Sequence, residues 1–214
     1  MVKLTPSKEE WYAALKERHG EDLQRRFSSA TVAICGLGGL GSNIAIALAR
    51  AGVGKLILID FDRVDITNLH RQQYKARQTG QYKTEALKEN LLEIAPYSKI
   101  EPVTKRITED NYVDLLKDTD VVCEAFDDAE AKAMLVNGVL EHLPHCYLAA
   151  ASGMAGMGTP NAIRTRRIMN RFYLCGDEKS DVSDAIGLVA PRVMLCAAHQ
   201  AHTVLRILAG EYEV

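Results

Sequence analysis

Apolar residues gather into short unbroken runs along the chain, separated by stretches with helical spacing. ATVAIC (30–35), KLILID (55–60), DVVCEAF (120–126) and CYLAAAS (146–152) read as strands buried on both faces. Between them lie helical segments. One covers 42–52 and ends in Gly52. Another covers 81–94, carries Leu87, Leu91, Leu92 and Ile94, and stops before Pro96. Others cover 108–117, with Thr108 as a possible cap, and 128–142. A last apolar helix spans 189–209, with Pro191 in its first turn and Gly210 at its end. Residues 100–104 read as a short strand and 161–165 as an edge strand; 166–185 is polar and aperiodic and reads as a loop. At the start, Ser7 with Glu10 three positions on makes a capping-box pattern, and Trp11, Leu15 and Leu23 recur at roughly helical spacing. The alternation predicts a doubly wound, mostly parallel α/β sheet over 29–214, preceded by a helical segment over 1–28.

Composition changes this picture little. Of 214 residues, 47% are apolar and 25% charged, as in a soluble globular protein. A formal charge of −2 argues against a nucleic-acid footprint over the whole molecule. The five cysteines include no C-x-x-C pair, and Cys35, Cys123, Cys146 and Cys196 sit in apolar runs, so neither a zinc knuckle nor a disulfide framework is expected. The opening MVKLTPSKEEWYAAL has no signal-type core, and no apolar stretch reaches the ~18 residues of a membrane span. The expectation is a cytoplasmic protein without a membrane or nucleic-acid partner.

The candidate chemistry begins at Gly36-Leu-Gly-Gly-Leu-Gly41, between a predicted strand and a helix starting at about Leu40. Gly36, Gly38, Gly39 and Gly41 permit a tight turn and close approach of backbone to phosphate, and the helix aims its free N–H groups at the ligand. Asp60 ends the next strand, about where a carboxylate accepts ribose hydroxyls. A glycine turn serving only helix–sheet packing is the plainer alternative, but it leaves Asp62 unaccounted for.

Together with IDFDRVDITNLHRQ at 59, Lys83, AFDD at 125 and GLVAP at 187, this turn closely resembles the ThiF/MoeB/HesA family, bacterial relatives of ubiquitin-activating enzymes. The resemblance runs from about Ala30 to Gly210 and in detail looks most like a short ThiF-type subgroup tied to thiamine biosynthesis. It implies a Rossmann-like adenylation domain that uses ATP and Mg²⁺ to adenylate the C-terminal glycine of a small ubiquitin-fold sulfur carrier ending in Gly-Gly. It also implies that Asp60 holds the ribose, with Asp62 and Gln72 also at the nucleotide. Asn68 and Arg71 would lie along the triphosphate, Lys83 would contact the phosphates near the reacting centre, and Asp127 would hold magnesium or keep the metal and Lys83 positioned. Arg71, Lys83 and Asp127 are the catalytic candidates. Family members are commonly homodimers, sometimes with an N-terminal arginine reaching the partner's ATP; Arg18 is the candidate here.

Plainer alternatives stand beside each assignment. Arg71 as a loop arginine paired with Asp62 or Asp65, Lys83 as a solvated helix residue, Asn68 in a local turn, and Asp127 or Asp128 as a helix cap all fit the sequence. The chain also departs from the family. FYLC (172–175) stands where zinc-binding members carry a C-x-x-C pair, so no structural zinc is expected. Ser183 stands near the place of the sulfur-transferring cysteine; Cys175, in the predicted loop, is the possible substitute thiol. Arg164, Arg166, Arg167 and Arg171 read as either a docking patch for an acidic carrier or a solvated loop. Two other functions compete: adenylation of a tRNA-borne carboxylate, as in a tRNA threonylcarbamoyladenosine dehydratase, and NAD-dependent oxidoreduction.

Overall fold

The computed structural model describes residues 5–183 and 186–214. Strands β1 (Thr31–Cys35), β2 (Lys55–Ile59), β3 (Lys99–Val103), β4 (Val121–Glu124), β5 (Tyr147–Ala151), β6 (Arg164–Met169) and β7 (Phe172–Gly176) form one sheet in the order β3-β2-β1-β4-β5-β7-β6. All neighbours pair in parallel except β6, which runs antiparallel to β7.

The unbroken apolar runs follow from the sheet being covered on both faces. Successive side chains point to opposite sides. Val32, Ile34, Leu56, Leu58, Cys123 and Ala149 join one core cluster, shared with α3 (Gly39–Arg50), α4 (Lys83–Ile94) and α7 (Ala190–Ala209). Ala33, Cys35, Ile57, Ile59, Val122 and Leu148 join a second, shared with α5 (Tyr112–Leu116) and α6 (Ala129–His142). Fully burying a side chain such as Ile34 contributes about 1.5–3 kcal/mol, so neither face tolerates a polar residue without a partner.

The segment before β1 is a pair of helices, α1 (Lys8–His19) and α2 (Glu21–Ser29), broken at Gly20, whose φ is 83°. The Ser7–Glu10 capping box is formed. Gln24 donates to the Gly52 carbonyl and the Gly54 amide donates to Phe27, which seats the pair at the amino edge of the sheet. Arg18 therefore does not join the site at the carboxyl edge of its own chain.

Three expectations need correction. The predicted loop from 166 contains most of β6 and all of β7. β6 is an edge strand with exposed Arg164 and Arg166, and charge on an edge blocks pairing with other chains; that charge hides its strand character. The last two residues of the predicted loop, 184 and 185, lie outside the described residues. The helix expected over 108–117 shortens to α5, because the Asn111 side chain accepts from the Thr108 amide and donates to the Arg106 carbonyl, so Thr108 is not the cap. Finally, α3 begins at Gly39, three residues before the helical span of 42–52 and next to the Leu40 start expected from the glycine turn, within the glycine run itself.

That early start is possible only because α3 presses on the strand end. A Cβ on Gly41 would lie 1.8 Å from the Gly36 carbonyl oxygen. Backbone occupies that space on both sides, so Gly41→Ala is expected to lower unfolding stability by about 3 kcal/mol, read as a shifted urea midpoint at unchanged m-value. An unshifted midpoint would contradict the packing described.

Candidate nucleotide site

The site is built from the turn outward. β1 is followed by Gly36, where glycine is required twice over: its φ is 91°, and a Cβ there would meet the Ala125 carbonyl oxygen at 2.7 Å. Gly38 is the N-cap of α3 and supplies no side-chain cap, so the first amides of the helix remain available to an anion. Asp60, at the end of β2, is 8% exposed. Its Oδ2 accepts from the Leu37 amide at 2.6 Å and its Oδ1 from the Asp62 amide at 2.8 Å. The carboxylate thus fixes the turn and still has lone pairs for further donors.

The long crossover from Asp60 to α4 folds back on itself. The Val64 amide donates to Gln81, the Gly80 amide to Val64 and the Lys83 amide to Asp62, while the Arg63 guanidinium lies 3.8 Å from the Tyr82 ring centre. This returns Lys83 to the acids: its Nζ sits 2.8 Å from Asp62 and 4.0 Å from Asp60. The side chain is 8% exposed, so the solvated reading of Lys83 fails.

Farther along the crossover, a 3-10 turn at Ile66–Asn68 is started by the Asp65 carboxylate accepting from the Thr67 amide. Asn68 Oδ1 accepts from Arg71 Nη2 at 2.9 Å, so Arg71 pairs with Asn68 instead of Asp62 or Asp65. The segment after it is latched to α3. Asn43 Nδ2 donates to the Gly39 and Arg71 carbonyls, the Gln73 amide donates to Ser42 Oγ, and the Tyr74 hydroxyl donates to the Leu37 carbonyl at 2.7 Å. Burial pushes the Tyr74 phenol well up, aided by Asp60 and Asp62, so it stays a donor. Arg71 Nε and Gln72 Oε1 are buried and have no hydrogen-bond partner. Such groups cost about 1–3 kcal/mol each when left unmet; Arg167 Nε and Gln200 Oε1 share that state elsewhere.

Asp127 follows β4 and is exposed. Burial lowers the Arg71 guanidinium below its usual range, and the charge on Asp127 opposes that shift, which brings the two into one electrostatic environment. Asp128, by contrast, caps α6 by accepting from the Ala131 amide at 2.8 Å. Among the described residues no cluster of three or more His, Cys, Asp and Glu could hold a metal alone. An ion at Asp127 would complete its shell with phosphate oxygens and water, which is how magnesium is commonly held.

Sequence reasoning missed the support behind these groups. Glu124, fully buried at the end of β4, accepts from the Phe126 amide at 2.7 Å and from Lys132 Nζ at 2.5 Å. Burial raises the Glu124 carboxyl, and Lys132 works against that. Lys132 also donates to Ala151 at 2.9 Å, and Gln200 of α7 donates to the Glu124 and Ala149 carbonyls. An acid following three apolar residues in a strand run was the available signal.

The expected loop features dissolve in the structure. Cys175 lies in β7, wholly buried, and burial pushes its thiol up; it is not a substitute for a reactive loop cysteine. Ser183 donates to Asp181 in an exposed turn. Of the arginine cluster, Arg166 pairs with Glu178, Arg167 with Glu213, and Arg171 donates to the Leu143, Cys146 and Leu140 carbonyls. Arg164 and Arg166 stay exposed on the edge strand, Arg166 within its ion pair to Glu178. All five cysteines are free and buried. The native protein is expected to react with no equivalent of an aromatic disulfide reagent until denaturant releases all five thiols; rapid native reaction would contradict this burial.

The comparisons with known proteins agree with this geometry. The ThiF family model matches residues 12–214. The molybdopterin-synthase adenylyltransferase of Salmonella typhimurium is 31% identical over 191 residues, covering 87% of this chain and 76% of that protein. The adenylyltransferase and sulfurtransferase UBA4 of Lodderomyces elongisporus is 28% identical over 195 residues; the match covers 88% of this chain but only 42% of that protein. Among solved structures, the Escherichia coli tRNA N6-threonylcarbamoyladenosine dehydratase TcdA in complex with ATP superposes with a TM-score of 0.85 at 21% identity, over 98% of both chains, a likeness of fold. No helix among the described residues is long and apolar enough to cross a membrane. Its matched motifs, strand order and sequence similarity make the chain a member of the ThiF family.

Proposed function

We propose that this chain is an adenylyltransferase that uses ATP to activate the C-terminal glycine carboxylate of a small ubiquitin-fold sulfur carrier ending in Gly-Gly, releasing pyrophosphate, in thiamine biosynthesis. The observation that carries the reading is the meeting of Asp60, Lys83 and Arg71 around the uncapped start of α3.

In this mechanism the carrier's carboxylate, already ionised at neutral pH, attacks the α-phosphorus of ATP. The P–O bond to pyrophosphate breaks and an acyl-adenylate forms. No protein nucleophile or base is required, so positioning and electrostatics are the enzyme's tools. Asp60 accepts the ribose hydroxyls, with Asp62 at the same end. The α3 amides at Gly38, Gly39 and Gly41, past the bend at Gly36, cradle the phosphates. Asn68 and Gln72 orient the triphosphate, and Arg71 offers its fork of donors to the phosphate oxygens. Lys83 exchanges part of its contact with Asp62 for the α-phosphate as charge builds. Asp127 would hold magnesium, whose charge would favour pyrophosphate as a leaving group. A cytoplasmic homodimer, with Arg18 supplied by the partner, completes the reading.

A second reading has its own observation. The full-length fold match to a tRNA-modifying dehydratase fits adenylation of a tRNA-borne carboxylate. Binding of tRNA with a steep salt slope would favour it over the carrier.

Asp127→Ala is expected to abolish ATP–pyrophosphate exchange with candidate Gly-Gly carriers while leaving the circular dichroism spectrum intact; exchange near the parental rate removes Asp127 from the mechanism. Lys83→Ala is expected to lower kcat by about a hundredfold or more with a much smaller loss of ATP affinity, because its charge matters most as the α-phosphate is attacked. Equal losses in both would contradict that role.

A further inference from the structure

One buried ion pair is not used by the nucleotide chemistry. Asp177, just past β7, and Arg192, in the first turn of α7, pair with side chains only 9% and 6% exposed. Asp177 Oδ1 accepts from the Lys179 amide at 2.9 Å, the Ser180 amide at 2.9 Å and Ser180 Oγ at 3.0 Å. Arg192 Nε donates to the Ala155 carbonyl at 3.0 Å, and its Nη1 donates to Gly158 at 2.8 Å and Thr159 at 3.0 Å. Its Nη2 meets Asp177 Oδ2. Every nitrogen of the guanidinium is therefore committed, and most of its bonds go to the loop that follows β5.

That loop is tied at other points as well. The Asp177 amide donates to Gly153, the Glu178 amide to Ser152, the Ala155 amide to Ser180 Oγ and the Gly156 amide to Gly187. Next to Arg192, the Val193 side chain would stand 2.9 Å from a Cβ on Gly39, and the Leu188 carbonyl lies 3.3 Å from His70 Nε2, which is 3.2 Å from Arg71 Nη1. The first turn of α7 thus touches the glycine turn and the crossover on one side and grips the 152–159 loop on the other. β5 lies beside β4, whose end carries Asp127, on the side away from Asp60. An acyl group attacking the α-phosphorus must approach from a side the nucleotide leaves free, and this loop, with Met157 71% exposed, follows β5 at the same edge of the sheet, on the side of β4 away from Asp60.

We propose that Arg192 is a positioning residue for the acyl substrate: clamped by Asp177, it holds the 152–159 loop in fixed register with the glycine turn. The inference rests on the adenylation reading. Arg192→Lys keeps a cation opposite Asp177, but a single ammonium cannot reach the Ala155, Gly158 and Thr159 carbonyls together. In pyrophosphate exchange, the variant is expected to raise KM for a Gly-Gly carrier by about tenfold or more while KM for ATP stays within about twofold. Amide exchange across 153–159 is expected to accelerate by about tenfold, with the α7 amides unchanged. Asp177→Asn should give the same split and serves if the lysine variant fails to fold. An unmoved carrier KM, a parallel rise in both KM values, or unchanged loop exchange overturns the proposal. A parent protein inert toward every Gly-Gly carrier overturns the adenylation reading and the substrate role with it, whereas the loop-exchange result then reports separately on the clamp.

Discussion

The approach of α3 to the end of β1 is the constraint on which everything else rests. With no side chain at Gly41, the helix backbone closes onto the Gly36 carbonyl, and with Gly36 in a left-handed conformation the chain turns beneath Ala125. The start of α3 then sits at the carboxyl edge between β2 and β4, where the sheet changes winding direction and ligands bind in open α/β sheets. Had the helix stood farther off, its amide groups and dipole would face solvent, and Asp60 would have no Leu37 amide to grip.

Around that contact the structure arranges charge under low exposure. Lys83 is held by Asp62 and Asp60, Lys132 by Glu124, and Arg192 by Asp177. Taking such ions from water costs several kcal/mol apiece, so each pair fixes a geometry more than it adds stability. In the Asp177 pair, burial works against ionisation, yet the Ser180 and Lys179 amides, the Ser180 hydroxyl and Arg192 hold the carboxyl down to about 2. Its stabilising effect is therefore present above the ordinary aspartate range and is lost only as pH falls toward that value. Arg71 differs: its partners are Asn68 and His70 and no carboxylate, and its Nε is unmet.

Much of this was legible in the sequence. Each of the four long apolar runs contains a central strand, because parallel strands are covered on both faces and cannot alternate. The glycine turn and Asp60 could be placed because local spacing fixes them relative to a strand end or a helix start, whereas Lys83 was singled out by the family resemblance. β6 and β7 were not legible: an edge strand carries charge, which masks its alternation even though its partner lies only a two-residue turn away. The arginine cluster disperses for a related reason. Its members share a stretch of sequence, but strand alternation and long reach send them to Glu178, Glu213 and the carbonyls around Cys146.

Sequence alone determined the fold class, the glycine turn between β1 and α3 and the kinds of side chain near it, since backbone propensity and burial pattern act over a few residues. Tertiary structure decided which of those side chains meet. The crossover's fold-back returns Lys83 to Asp62, the Asn43 and Tyr74 latch presents Arg71, and Arg192 reaches across from α7 to Asp177. Those contacts join residues up to 37 positions apart, and only the packed chain closes such loops, because their entropy is offset when both ends are already held by the core.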